Sequence, residues 1–531
     1  MSNQADHMPE EIADVAVIGG SLGGVAAAYA AAKFGMRVVL VEETRWIGGQ
    51  LTSQAVPPDE HRWIESYGAT RTYLALRERI RAYYRRNYPL REEAARSKTL
   101  NPGNAWVSRL SHEPCVALAV LEELLAAYVS AGRIRLLTEH RLVAAMASGD
   151  EVRAVTVEDV RSKTQKRVKA AFFLDATELG ELIALSGTEH RLGAESRHET
   201  GEPHAPDAPD RLDLQPITWV AAVEWHPDAD AVIERPADYD FWRRFIPPYQ
   251  SFPLFSWEGV QAADGTVRRF RMRSDPASGA LGLFEYRRVV DRTQFVDGFY
   301  SGDVTLINWP QNDYPLGAIV GVDEEERRRH CLGARMLTLS LIYWLQTEAP
   351  RDEGGRGYPE LRLRGDVVGS DDGLALYPYI RESRRIEAMV LIREPDVLTG
   401  TVYPDSIGIG HYALDLHPTI RTHTSLYVQT KPFEIPLGSL IPKRMKNMLP
   451  ANSKLIGTTH LANGCYRLHP VEWNVGEVSG YLAAYAHTLR CAPVEVWRDK
   501  KKLQAFQDAL MQEGVWLHWE DARVAAANGE G

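Results

Sequence analysis

The sequence predicts an α/β protein in two parts, a parallel sheet carrying a β-meander and a mixed α+β domain beside it. Three observations lead there. The chain opens on a β-strand, a glycine turn, a helix and a second strand. Its 531 residues at 44% apolar composition can bury more than one core. Glycine-containing sequence of similar character returns between Ile435 and Arg490, so the first domain is expected to be discontinuous.

The elements follow in order. Asp14 to Ile18 (DVAVI) is a short apolar strand running into GGSLGG, and the alanine-rich VAAAYAAAKFG closes at Gly35 as a helix with its stop signal. Arg37 to Val41 (RVVLV) is the next strand and ends at Glu42. So compact a βαβ unit implies parallel pairing and a right-handed crossover. Arg71 to Arg96 mixes arginine and glutamate at helical spacing and reads as a solvated amphipathic helix. Glu113 to Arg133 is helical in pattern, and the strand-like runs after it, broken by SGDE and RSKTQK, read as an antiparallel meander. AFFLDAT, Ala171 to Thr177, returns to the parallel sheet and turns into ELGELIALSG. Residues 199–213, rich in Pro, Asp and Glu, mark a boundary. The expected division is a cofactor domain at 12–198 and 430–490, a substrate domain at 199–429, and a charged helical tail at 491–531. No repeat of solenoid or propeller period is present.

The formal net charge is -10 with acidic and basic residues interspersed, which argues against a nucleic-acid or anionic-membrane partner. The opening MSNQADHMPEEIAD lacks the basic and apolar regions of a secretory signal, and no apolar run approaches about 18 residues. A cytoplasmic location is therefore expected. Four cysteines, Cys115, Cys331, Cys465 and Cys491, form no CxxC pair, so reduced thiols are expected and no metal site is indicated.

Chemistry begins at the first turn. Gly19, Gly20, Gly23 and Gly24 let the backbone approach a phosphate at a helix N-terminus, where free N–H groups and the helix dipole attract it. The spacing fits GxGxxG as Gly19, Ser21, Gly24, with serine replacing the second glycine. Glu42, with Glu43 beside it, ends the following strand about 20 residues on, where a carboxylate accepts bonds from ribose hydroxyls and disfavours the 2′-phosphate of NADP. This is a Rossmann-type dinucleotide fingerprint.

Three stretches in order resemble the FAD-dependent oxidoreductases of the glutathione-reductase-like class, related to fumarate reductase flavoproteins. The first runs DVAVIGGSLGGVAAAYAAAKFGMRVVLVEETRWIGGQLTSQ and matches the family's GG pair at Gly48 and Gly49, with Gln50 and Thr52. The second, FFLDATELGELIALSG, matches at Asp175, Ala176, Thr177 and Gly180. The third, NSKLIGTTHLANGCYRLHPVEWNVGEVSGYLAAYA, resembles a helix opening under the flavin ring and contains Asn474, Gly476 and Glu477. The resemblance implies FAD as the tightly held cofactor. No second GxGxxG is present to hold NAD(P)H, so a nicotinamide reductant would bind transiently. A small-molecule substrate is implied, with a transient reductant or a second copy of the chain as the partners left open.

Substrate chemistry is expected in four places. YPYIRESRRIEAM packs Arg381, Glu382, Arg384 and Arg385 behind two tyrosines, as an ion-pair lattice against cofactor or substrate or as a structural network. GIGHYALDLHP offers His411, Tyr412, Asp415 and His417; on a continuous strand His411, Asp415 and His417 share one face, and a His beside a carboxylate suits a general base. INWPQNDYPLG supplies Asn308, Trp309, Asn312 and Tyr314 as cavity-lining candidates, and Arg467 stands near the flavin helix. The expected activity is hydride transfer between FAD and a small polar organic molecule. The alternatives are a flavin monooxygenase using an external reductant and a flavin-binding protein without turnover.

Overall fold

The computed structural model describes residues 8–275, 277 and 280–528. Its centre is a parallel five-stranded sheet of β1 (Val15–Ile18), β2 (Val38–Val41), β3 (Ile134–Leu137), β4 (Phe172–Asp175) and β5 (Met448–Pro450), in the order β5-β4-β1-β2-β3. Every residue of β1, β2, β4 and β5 is buried, as befits strands covered on both faces. Alternation sorts the side chains. Val15, Val17, Val38, Leu40 and Leu174 join the large core, while Ala16, Ile18, Val39, Val41 and Phe173 pack on the opposite face.

That second face meets the expected meander, strands His140–Ser148, Glu151–Asp159 and Gln165–Lys169. Val155, Val157 and Val168 supply its apolar side. An edge strand that the sequence reading lacked, Glu10–Ile12, adds in parallel to the last of these.

Helix α1 (Leu22–Lys33) joins β1 to β2, and Ser21 caps it, its Oγ accepting from Gly24 N at 3.1 Å. The replacement of glycine by serine thus provides an N-cap. The expected helix from Arg71 forms as Arg71–Asn87 with a short second helix Glu92–Arg96. It is not solvated on all its charged positions. Arg77 and Arg81 are buried and paired with Glu60 and Glu65, because the helix packs against the segment holding those carboxylates.

The additional body is built on an antiparallel sheet of Arg288–Val290, Asp303–Ile307, Ala221–Trp225 and Leu361–Leu363. Beside it runs α2 (Glu324–Thr347), 24 residues long, capped by Asp323 and carrying Glu324, Glu325 and Glu326 in its first turn, where they complement the helix dipole. One apolar core spans both sheets, from Val15 and Leu174 to Val223, Leu306 and Leu341.

The chain returns through β5 into α3 (His469–Leu489), which crosses α1. Three further helices, Pro493–Arg498, Lys500–Gln512 and Trp519–Asn528, close it. They are docked by buried Phe506 and Leu510 and by a bond from Trp519 Nε1 to the Phe433 carbonyl. Among the described residues no helix is long and apolar enough to cross a membrane.

Candidate functional site

The glycine turn between β1 and α1 sits where backbone leaves no room for side chains. Gly19 has φ +102°, and a Cβ there would fall 2.2 Å from the Ala176 carbonyl. Gly20 N donates to Glu42 Oε2 at 2.8 Å, and Thr44 N donates to the other oxygen at 2.8 Å. Burial pushes the Glu42 carboxyl up to about 7. Glu43, beside it, is exposed at the cavity edge. Gly48 N donates to the Gly20 carbonyl at 2.7 Å. A Cβ on Gly49 would stand 2.6 Å from Glu178 Oε1 and 2.9 Å from Ser21 Cα.

At the end of β4, Asp175 is spent on its own turn. Its Oδ1 accepts from Thr177 N and Oγ1 at 3.0 and 2.7 Å, and its Oδ2 from Ile183 N at 2.8 Å. Burial raises it to about 7. Gly180, at φ +64°, then opens a short helix. Thr52 Oγ1 donates to the Ile47 carbonyl at 2.6 Å and fixes the bend after the GG pair.

These segments wall a cavity of about 500 Å³, within the range of small-molecule sites. Gly19, Ser21, Glu42, Glu43, Gly49, Ala176 and Thr177 line it, all of them sequence candidates, together with Glu178, which the sequence reading passed over. The other side comes from the additional body: Trp219, Glu324, Arg327, Arg328, Cys331 and Tyr377. Arg327 Nη2 donates to Glu181 Oε1 at 3.2 Å and to Tyr377 Oη at 3.1 Å, tying the two walls together.

Not every candidate faces this cavity. Gly23 and Gly24 pack on the carbonyls of Ala451 and Gly19, where a Cβ would lie 2.0 and 2.2 Å away. In α3, Asn474 Nδ2 donates to the Ile407 carbonyl at 3.0 Å, Gly476 rests on Gly23, and Glu477 accepts from Thr72 Oγ1 at 2.7 Å. The α3 residue that reaches the glycine turn is Glu472, a turn earlier. Its Oε1 accepts from Gly23 N at 3.1 Å, and Gln50 Nε2 donates to its Oε2 at 2.5 Å. Buried Lys454, after β5, stands 2.7 Å from Glu178 Oε2. An acidic residue in a helix's first turn and a lysine in an apolar stretch were the available signals for Glu472 and Lys454.

A second cluster gathers around Asp313. His417 Nδ1 lies 2.5 Å from Asp313 Oδ2, Arg381 Nη2 lies 3.0 Å from Asp313 Oδ1, and Thr218 Oγ1 also donates to that carboxylate. Burial works to raise Asp313, but the charges of Arg381 and His417 hold it below the usual carboxylate range. His417 Nε2 faces Asp415 Oδ2 at 3.9 Å, and Asp415 is itself bound by Arg467 Nη2 at 3.0 Å. Arg467 Nη1 donates to Tyr379 Oη at 2.7 Å while its carbonyl accepts from Gln50 at 3.2 Å, so this cluster adjoins the GG segment. Tyr412 is raised well above its ordinary value by burial and then by the charge of Asp415.

Several expectations are corrected here. His411 does not share a strand face with Asp415 and His417: strands Ser406–Gly410 and Leu414–Leu416 are interrupted, and the His411 ring packs 5.0 Å from Trp63 instead. The carboxylate orienting His417 through Nδ1 is Asp313, 104 residues away in sequence. Arg385 is wholly buried between Glu382, Glu195 and the Gly193 carbonyl, and His460 completes this interior lattice with a 2.7 Å bond to Glu382. Asn312 satisfies Trp309 N and the carbonyls of Trp219 and Ile307, and Tyr314 Oη pairs with His330. Trp309 is buried, whereas Asn308 accepts from Arg381 at 3.5 Å and leaves its buried Nδ2 without a partner among the described residues.

The cavity chemistry suits a dinucleotide. Glycine brings backbone N–H groups to its edge, and Glu42 and Glu178 offer acceptors to sugar hydroxyls.

Comparison with solved structures finds the E. coli quinol fumarate reductase subunit FrdA, at 10% identity, TM-score 0.34, over 95% of this chain and 74% of that one. Mycobacterium smegmatis Sdh1 in complex with UQ1 matches at 12% identity, TM-score 0.34, over 91% and 70%. L-proline dehydrogenase from P. horikoshii matches at 15% identity and TM-score 0.18, over 36% of this chain, which spans only 25% of that one. No curated protein matches. Residues 14–510 match the family model described as FAD dependent oxidoreductase, covering all three motifs and both clusters. This match, extending over nearly the whole chain, places it in the FAD dependent oxidoreductase family, as an oxidoreductase with FAD as its cofactor.

Proposed function

We propose that this enzyme transfers a hydride between FAD and a small polar organic substrate held at the Asp313–His417 cluster, with His417 moving the accompanying proton. The observation that carries the reading is the histidine between two carboxylates: Nδ1 against Asp313 at 2.5 Å, Nε2 toward Asp415 at 3.9 Å, with a quarter of the side chain exposed. Asp313 fixes the tautomer and leaves Nε2 as the exchanging atom.

Bound FAD supplies the hydride acceptor or donor. Arg381 and Arg467 supply positive charge, and Arg381 Nε, Arg467 Nε and Asn308 Nδ2 are buried donors without acceptors among the described residues. A substrate end rich in acceptor oxygens, such as a carboxylate, satisfies them. The proposed division assigns residues 12–198 and 430–490 to the cofactor, 199–429 to the substrate, and 491–531 to a brace. Its support is that Asn308, Asp313, Arg381, Asp415 and His417 all fall in the middle segment. Four free thiols support a cytoplasmic location.

Anaerobic reaction of the flavoprotein with a panel of hydroxy, amino and unsaturated acids, followed by flavin absorbance, tests the reading. For a substrate found this way, His417→Gln is expected to slow flavin reduction or reoxidation about 10²–10⁴-fold. An unchanged rate removes His417 from the proton step.

A further inference from the structure

We infer that Lys454 sets the charge of the flavin groove, holding two buried carboxylates so that an anionic dinucleotide, and then electrons, are accepted beside them. This rests on the FAD assignment and is independent of the substrate reading.

Lys454 follows β5 in a single tight turn, Ser453–Leu455, and its side chain is 1% exposed. Its Nζ lies 2.7 Å from Glu178 Oε2 and 3.6 Å from Glu472 Oε2. Each carboxylate belongs to a different wall. Glu178 follows the β4 motif and lines the cavity, while Glu472 accepts from Gly23 N at the start of α1 and from Gln50 of the GG segment. One ammonium therefore joins four segments of the groove.

The charges do not balance: one cation faces two carboxylates. Burial opposes the charge on Lys454, but Glu178 and Glu472 hold its pKa above the ordinary value, and burial pushes Glu178 upward. Glu178 Oε2 is taken by Lys454, while the Glu178 side chain lines the cavity and stays 12% exposed, so the paired charge faces the ligand space. Phosphate is drawn to the N–H groups that open α1, and Glu472 already occupies one of them. A dinucleotide therefore adds negative charge beside two carboxylates, and reduction of the flavin adds more. Lys454 lowers both costs, because like charges in a desolvated site repel strongly unless a cation stands between them. A purely structural staple would hold the walls together and leave the bound flavin's potential alone.

The test uses the full-length flavoprotein and no substrate. FAD affinity is measured by equilibrium binding, and the midpoint potential by equilibration with redox dyes. Lys454→Gln is expected to weaken FAD binding at least tenfold and to shift the reduction equilibrium about tenfold toward oxidised flavin, ~30 mV more negative for a two-electron couple. Adding Glu178→Gln to that variant removes one uncompensated carboxylate and restores most of both losses, and Lys454→Arg keeps the parent affinity and potential. A potential within twofold of the parent equilibrium in Lys454→Gln, whatever the affinity, overturns the inference. So does a double variant no better than the single one. If Lys454→Gln does not fold, Glu178→Gln alone decides: a more positive potential supports the role, and an unchanged one overturns it.

Discussion

Burial dominates the ionisation of Glu42 and Asp175, each pushed up to about 7 despite the N–H groups that stabilise its charge. The native protein then holds protons that the unfolded chain has already released. The stabilisation is complete below about pH 4 and lost as pH rises through about 7, worth roughly 3–4 kcal/mol per group. Thermal melts of the apoprotein from pH 5 to 8 are expected to show Tm falling across that window. Glu42→Gln should flatten the fall, and a variant whose Tm drops as steeply as the parent's contradicts the assignment. Glu42 was legible because its position after a strand is set by local sequence. Asp313 was legible only as a polar residue in an aromatic segment, since its partner His417 lies 104 positions away. Asp415, two residues from His417, was the natural partner by proximity, yet it lies 3.9 Å from the ring and is bound more closely by Arg467 at 3.0 Å.

Helices α1 and α3 touch backbone to backbone. A Cβ at Gly476 would stand 2.0 Å from the Gly23 carbonyl oxygen, and one at Gly480 would stand 2.3 Å from that of Ala27. Small residues four apart on each helix make this approach possible. Gly476→Ala therefore has to push the helices apart, with an expected loss of about 1–3 kcal/mol and weaker FAD retention, because Gly23 belongs to the glycine turn. Urea denaturation and flavin content of the purified variant check both. A variant as stable as the parent would mean that the crossing is looser than described. From sequence, Gly476 read as a cofactor residue because a glycine beside a motif looks the same whether it makes room for a ligand or for a helix. Only the crossing tells the two apart.

Two bodies close one groove. Glu324, Arg327, Arg328 and Cys331 occupy positions i, i+3, i+4 and i+7 of α2, one face of that helix, and they roof the cavity whose floor is the glycine turn. Arg327 fastens the roof to Glu181 and Tyr377. Both members of the ion pair are about a quarter exposed, so its contribution is small. Arg327→Ala is expected to cost about 1 kcal/mol and to speed FAD release roughly fivefold, measured as loss of bound flavin after dilution. Release at the parent rate would show that the roof is held by packing alone.

Local pattern was enough for the parallel sheet, the meander, the FAD fingerprint and the family, because strand alternation, glycine turns and a strand-end carboxylate are set by neighbours in sequence. The strand considered from His411 to His417 is interrupted after Gly410: alternation reports which residues can share a face and cannot report where pairing stops. The roof of α2 over the groove, the Asp313–His417 pair and the Lys454 junction were decided only by tertiary structure. Each joins residues separated by tens to hundreds of positions, and a charge is stable in a buried place only where the fold brings it a partner.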